Sequence, residues 1–336
     1  MNGRVENDIR IFKTIEKQLL EYPTYISSWY FYLKANKQSA MTCRDYLYKI
    51  KNFLLFIDDE IKYVKLEDIN EDIIVRYFIS IQYKDDGTET SDSYKQGIWS
   101  CLNNFFDFLE GRNYINRNVL KTSRIKRPKN KDLERINQNR KLLTREDFLK
   151  ILEAVDQGVG SKKAMGYQKK YKNRDKLIML IFMITGMRKT ALMEINIEDI
   201  DVNNKTLTII DKGHKVHNYY LNDMAIDLYN KWIEDRYFLI GNIEGALFIS
   251  KENKRMCGNS ISKLVDKYSQ AALGYHISPH KLRSGFISIL YEEKHDVEYV
   301  RRVVGHSNVT TTQRYIVTNN DERKEAVDIL GSLLNE

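Results

Sequence analysis

Near its carboxyl end the chain reads GHSNVTTTQRY, residues 305–315, which sets His306 nine residues before Tyr315. Upstream, Ser278-Pro279-His280-Lys281-Leu282-Arg283 pairs a capping serine with proline at the first helical position, so His280 and Arg283 fall three apart on one helix face and can address one target. Arg188, in TGMRKTAL, follows a glycine at a helix junction, where an arginine can reach into a cleft. Singly these are weak signals, since arginines beside glycines are mostly surface groups and a lone helical tyrosine is mostly core. Together, two arginines, two histidines, a hairpin lysine and a tyrosine, without paired carboxylates or a metal-ligand cluster, suit phosphoryl chemistry in which cationic side chains replace a metal ion. Charge developing on phosphate oxygens needs preorganised donors, and the arginine fork matches that geometry. A tyrosine hydroxyl, with an unperturbed pKa of about 10, needs such a field or a nearby base to become a nucleophile. No cofactor and no metal are called for.

The elements that must position these groups are mostly helical. Before residue 119, apolar residues recur at helical spacing in SWYFYLKANK, CRDYLYKIKNFLLFI and IWSCLNNFFDFL, which predicts a bundle of four or five helices with Thr42 and Ser93 at N-caps. Tyr46, Phe53, Phe56, Phe105 and Phe108 read as its core rather than as a platform for stacked bases. Further on, LTREDFLKILEAV predicts a helix capped by Thr144, and residues 176–192 an apolar helix broken near Thr185-Gly186. The stretch VNNKTLTIIDKGHKVHNYYLND alternates as a hairpin turning at Asp211 to His214. Helices are expected from Asp223, Ser260, Ser278, Asp296 and Asn308. The fold class is therefore mostly α with a small β-sheet, α+β. Gly305 would stop one helix, and Ser307 or Asn308 would cap the next, which carries Tyr315.

Length and charge narrow the function classes. The 336 residues favour two domains, and the net charge is +8. Between Lys121 and Arg145 ten Lys/Arg face two Asp/Glu, also +8, so this one segment holds the whole excess. It contains Lys121, Arg124, Lys126, Arg127, Lys129 and Lys131, with few apolar residues, and reads as an exposed basic linker suited to a polyanion, because neutralising phosphates releases counterions. A second basic stretch, residues 158–172, is either an added DNA-contacting loop or a flexible insertion. Cys43, Cys101 and Cys257 form no CxxC pair, which fits a reducing cytoplasm and argues against a disulfide framework or a zinc site. The longest apolar run, LIMLIFMI, is too short to span a membrane, and no signal-peptide core opens the chain.

With these motifs in order, the chain resembles the tyrosine recombinases, the family of the Xer proteins, Cre, and phage and transposon integrases. TGMRKTAL is similar to the first arginine box, HKLR to the His-x-x-Arg box, and GHSNVTTTQRY to the closing box. DKGHK sits where the family has a Gly-Lys-Gly turn, which makes Lys212 the counterpart of the catalytic lysine and Lys215 the second choice, with a DNA-contacting role as its other reading. SAMTCRDYLYKIKNFLLFI and SDSYKQGIWSCLNNFFDFL look like the two helix signatures of the core-DNA-binding domain. The resemblance spans about residues 25–325. Three departures stand out: Ala191 where an acidic residue is common, Ser284-Gly285 where many members have histidine and threonine, and the long basic stretch before Arg188.

What the resemblance implies is a clamp around duplex DNA: an N-terminal extension (1–20), a helical core-DNA-binding domain (21–118), a basic linker (119–141), a catalytic domain (142–320) and a C-terminal helix (321–336) docking in cis or in trans. Tyr315 would attack a scissile phosphodiester to give a 3′-phosphotyrosyl link. Arg188 and Arg283 would hold the non-bridging oxygens, His306 would add a hydrogen bond, His280 would assist proton transfer at the tyrosine, and Lys212 would protonate the leaving 5′-oxygen. The implied partner is double-stranded DNA with short inverted core sites, bound by a protein monomeric when free and tetrameric on synapsed DNA, with accessory proteins possible and no membrane. The setting would be the cytoplasm, at the nucleoid, and the outcome integration or excision of a mobile element or Xer-like resolution. Two other classes fit less well. A type IB topoisomerase uses similar residues without synapsis, and a silent DNA-binding protein would not retain all six catalytic residue types.

Overall fold

The computed structural model of the chain describes residues 3–60, 65–122, 126–128, 142–211 and 215–305. The chain divides into two compact units, the first comprising residues 5–139 and the second running from residue 140 onward.

The first unit is helical: α1 (Gly3–Gln18), α2 (Thr24–Ala35), α3 (Ala40–Glu60), α4 (Glu71–Ser80), α5 (Asp92–Gly111) and the short α6 (Val119–Thr122). Its core is aromatic, with Trp29, Tyr30, Phe53, Tyr77, Phe105 and Phe106 buried together. The Trp29 and Phe105 rings meet edge to face with centroids 5.0 Å apart, and the indole N–H donates to Asn104 Oδ1 at 2.9 Å. Phe53, Phe105 and Phe108 are buried and Tyr46 and Phe56 pack against them, as core residues should. Ile11, Ile15 and Leu19 belong to the same cluster, so the first twenty residues contribute to this core. The caps lie earlier than expected. Ser39, not Thr42, accepts at the start of α3, from the Thr42 N–H, and Ser91, not Ser93, caps α5 through the Tyr94 N–H at 3.3 Å. A cap precedes the first turn, and that turn can be polar; placing it beside the first apolar residue moves it inward.

The expected linker begins inside this unit. Leu120 of α6 is buried, and the buried Asn118 side chain donates to Asp107 Oδ1 at 2.6 Å while accepting from the Leu120 N–H. Pro128 is held too, its carbonyl accepting from Gln96 Nε2 at 2.7 Å.

The second unit opens with α7 (Arg145–Gln157), where Thr144 and Asp147 form a reciprocal capping box. Then come α8 (Lys162–Lys169), α9 (Lys172–Thr185) and α10 (Lys189–Glu194), and an antiparallel sheet of order β1 (Ile200–Asp201), β2 (Thr206–Asp211), β3 (Lys215–Tyr220). The register pairs Thr206 with Tyr220 and Asp211 with Lys215, giving the anticipated hairpin; the two-residue β1 is too short for alternation to reveal. The remaining described helices are α11 (Asp223–Ile240), α12 (Gly258–Leu273), α13 (Pro279–Lys294) and α14 (Val297–Val304). α12 starts two residues before Ser260, with Cys257 as its N-cap residue.

Helix α9 is the spine. Leu177 through Met183 are all buried, because α7, α11 and α13 pack around it. Polar groups at its base are satisfied internally: Asp175 accepts from the Arg174 guanidinium and from Tyr268 Oη at 2.8 Å, and Arg174 Nη1 donates to Ile249 O at 2.6 Å. A buried ion pair survives only with such completed hydrogen bonding.

Candidate active site

Gly186 ends α9 in the left-handed conformation (φ 58°), its N–H donating to Phe182 O at 3.0 Å. A Cβ there would lie 2.3 Å from Phe286 Cδ1, so two independent reasons require glycine. The break it creates makes Arg188 the N-cap residue of α10, half-buried, in extended backbone. Ala191, three residues after Arg188, is buried in the core.

Ser278 caps α13 by accepting from the Lys281 N–H at 3.3 Å, and Pro279 follows at the first turn. His280 is exposed, one residue further on, whereas Arg283 is only 3% exposed. Arg283 joins segments far apart in sequence: Nη1 donates to the carbonyl of Gly186, 97 residues away, and Nη2 to that of Val304, at 3.2 Å. Burying a guanidinium requires such partners, and here each is a carbonyl two residues before a motif position, Arg188 in one case and His306 in the other. The Ser284-Gly285 departure serves packing. Ser284 Oγ donates to His280 O at 3.0 Å, and a Cβ on Gly285 would stand 2.9 Å from Leu143 Cβ, so glycine lets α13 lie close to the start of α7.

Helix α14 buries Val300 and Val304 against Ile287 and ends at Gly305, again left-handed (φ 70°). A Cβ on Gly305 would lie 2.5 Å from His217 Cε1. The β3 strand of the hairpin therefore touches the residue immediately before His306. His217 was not anticipated, although the phase of β3 was readable: Val216, Asn218 and Tyr220 are exposed, His217 is half-buried and Tyr219 is buried. The His217 and Tyr219 rings stack on that inward phase, with centroids 6.1 Å apart.

Arg188, Arg283 and the hairpin are thus gathered around the end of α14. Lys215 opens β3 opposite Asp211. Lys212, His306 and Tyr315 lie outside the described residues. Of the expected DNA-contacting residues, Lys121 is ion-paired with Asp107 at 2.7 Å, and that hydrogen bond holds its ammonium above the usual lysine range. Lys126 and Arg127 are exposed, the Arg127 guanidinium 6.0 Å from the Trp99 ring centroid. Arg124, Lys129 and Lys131 fall outside the described residues.

Residues 141–322 match the model of the phage integrase family. The chain is 31% identical over 222 residues to a tyrosine recombinase XerC of Vibrio vulnificus, covering 64% of this chain and 63% of that protein, so the match spans under two thirds of the relative's length. It is 27% identical over 331 residues to the tyrosine recombinase XerC of Caldanaerobacter subterraneus subsp. tengcongensis, covering 93% and 88% respectively. Its fold is similar to that of the XerH site-specific recombinase in a crystal structure of a post-cleavage complex with a palindromic difH substrate, with a TM-score of 0.65 at 20% identity, over 89% of this chain and 82% of that one.

Proposed function

The chain belongs to the phage integrase family, and from that premise we propose that it is a site-specific DNA recombinase that cleaves and rejoins duplex DNA through a 3′-phosphotyrosyl intermediate. One observation carries the assignment: the buried Arg283 bridges the Gly186 carbonyl before Arg188 and the Val304 carbonyl before His306, so three motifs from distant parts of the chain converge at one point.

In this scheme Tyr315 is the nucleophile. Its hydroxyl attacks the scissile phosphorus, the P–O5′ bond breaks, and the 5′-hydroxyl leaves with a proton supplied by Lys212, or by Lys215 as the second choice. Arg188 and Arg283 neutralise the non-bridging oxygens, His306 donates a hydrogen bond to them, and His280 takes the tyrosine proton. The phosphodiester energy is retained in the phosphotyrosine, so a partner strand's 5′-hydroxyl reverses the step without ATP or a metal ion. The substrate is double-stranded DNA with short inverted core sites, and the active assembly a homotetramer on synapsed DNA. The first unit supplies core-site binding, with Lys126 and Arg127 among the phosphate contacts, and the C-terminal helix links protomers or packs on its own. The XerH complex, with its palindromic substrate, supports a DNA partner of this kind.

The test is a denaturing gel with nicked suicide duplexes taken from the DNA flanking the gene, in EDTA, with wild type beside Tyr315→Phe. Wild type forms a covalent protein–DNA adduct and Tyr315→Phe binds without forming one. An adduct with the phenylalanine variant refutes the nucleophile; relaxation of supercoils without strand exchange reassigns the enzyme as a topoisomerase.

A further inference from the structure

The basic stretch between α7 and α9 is a built element rather than a flexible insertion. Helix α8 (Lys162–Lys169) is capped by Ser161, which accepts from the Ala164 N–H at 3.3 Å. The Gln168 side chain closes a two-bond ring on the preceding backbone, donating to Val159 O at 2.6 Å and accepting from Val159 N–H at 3.0 Å. Tyr171, just beyond, is buried; its ring lies 5.4 Å from that of Tyr167 and 4.2 Å from the Arg174 guanidinium.

At 100° per residue, Lys162, Lys163, Lys169 and Lys170 fall within an arc of about 120° centred near Gly166. All four are exposed, and none forms an ion pair among the described residues. Of the acids in the last turns of the preceding helix, Asp156 is engaged by Lys172 and Lys176, and Glu153 accepts from the Gln157 amide. A Cβ on Gly166 would meet nothing within 4 Å, so the centre of the stripe is bare backbone open to close approach. The local signals also run against stability. The first turn of α8 holds two lysines and no acid, where the helix dipole favours negative charge. A fixed helix that gathers four cations on its outer face, two of them at the N-terminal end that its own dipole disfavours, is suited to an anion outside the protein.

We infer that the α8 lysine stripe is a second DNA-contacting surface that grips the phosphate backbone away from the reacting phosphodiester. Four cations in two helical turns are matched by a polyanion of similar charge density, and duplex DNA presents one charge per about 1.7 Å of its axis. Lysines, as point charges on flexible stems, neutralise phosphates without reading bases. The stripe adjoins the N-terminal end of α9, whose opposite end leads to Arg188; fourteen residues of helix separate those ends by about 21 Å. Its phosphates are therefore not the one that Arg188 and Arg283 would hold. The inference rests on the recombinase assignment for its choice of polyanion.

The experiment is the salt dependence of duplex binding by the full chain, using a duplex that extends well beyond the core site. The Lys162→Gln/Lys163→Gln/Lys169→Gln/Lys170→Gln variant is compared with its Lys→Arg counterpart, and circular dichroism verifies that both remain folded. Four lost phosphate contacts reduce the slope of log K against log salt by about 3.6, whereas the arginine variant keeps the wild-type slope. A second readout introduces a photo-crosslinker through Gly166→Cys, which labels duplex DNA if the stripe faces it. An unchanged slope together with no crosslink overturns the inference. Should that happen while wild type still forms its Tyr315 adduct, the recombinase assignment stands and only the stripe fails. A slope reduced in the glutamine variant, when wild type forms no adduct, has the opposite meaning: the surface binds DNA and the chemistry is wrongly assigned.

Discussion

Gly186→Ala should damage this protein more than a glycine substitution at any ordinary helix end, and the structure supplies its own control. At Gly186 the new residue meets two penalties. Forcing a non-glycine residue into the left-handed region costs roughly 1–2 kcal/mol. The added Cβ would sit 2.3 Å from Phe286 Cδ1 and 3.0 Å from Cε1 and Cγ, against a ring of α13 that packs on the Ile287, Val300 and Val304 cluster, and overpacking of this kind costs about 1–3 kcal/mol more. The sum, about 2–5 kcal/mol, corresponds to roughly 30- to 4000-fold faster hydrogen exchange of α9 amides that open only when the unit unfolds. Gly241, the C-cap of α11, has nearly the same conformation (φ 65°) and nothing within 4 Å of its notional Cβ. Gly241→Ala therefore carries the backbone penalty alone, roughly 5- to 30-fold in exchange. Hydrogen-exchange mass spectrometry on peptides from α9, α11 and α13 measures both variants. In a Phe286→Ala background, Gly186→Ala should fall to the Gly241→Ala cost. Equal costs at the two positions in the otherwise wild-type protein would refute the reasoning, since the contact with Phe286 would then have no energetic reality. Because Gly186 also offers its carbonyl to Arg283, Gly186→Ala should lower adduct formation even at temperatures where the unit stays folded.

Two other outcomes follow from the geometry. Gly305→Ala should reduce adduct formation at least tenfold, since its Cβ would press on the His217 ring at 2.5 Å and displace the residue before His306; His217→Ala should restore part of that loss, and no restoration would show that the contact does not transmit. Cys257 should be the first thiol to react with iodoacetamide at neutral pH: it is exposed, and its hydrogen bond with Ser260 holds its pKa below the usual thiol value, so more thiolate is present as pH rises towards that lowered value. Burial pushes Cys43 up to about 11 and raises Cys101 as well, so peptide mapping should find both unmodified until the protein unfolds, and Ser260→Ala should slow labelling at Cys257.

Much of this protein was legible in one dimension because its chemistry is written as local motifs. The spacing within HKLR follows from a helix of 3.6 residues per turn, the serine and proline before it fix where that helix starts, and glycines at 186 and 305 mark where two helices stop. The hairpin followed from period-two alternation. Short-range stereochemistry determines all of these, and it acts within a few residues of the sequence that encodes it. Cap positions slipped by two or three residues at Ser39 and Ser91, because several polar residues precede each apolar pattern and only hydrogen-bond geometry chooses among them. Other features required the chain to be folded. The linker's first part belongs to the helical unit because Leu120 joins the core that α4 and α5 build, a fact that charge density along the segment conceals. Residues 158–172 looked equally like an added DNA-contacting loop or a flexible insertion, whereas the fold forms a helix with a lysine face over Lys162–Lys169, tied back by Gln168 to Val159. Above all, the sequence determined which residue types were present and in what order, while tertiary structure decided that Arg283 would be buried with its guanidinium spent partly on the Gly186 and Val304 carbonyls and that His217 would meet Gly305. Such contacts join positions up to 97 residues apart, and their energies depend on burial and direction, which exist only once α9, α13, α14 and the hairpin have packed together.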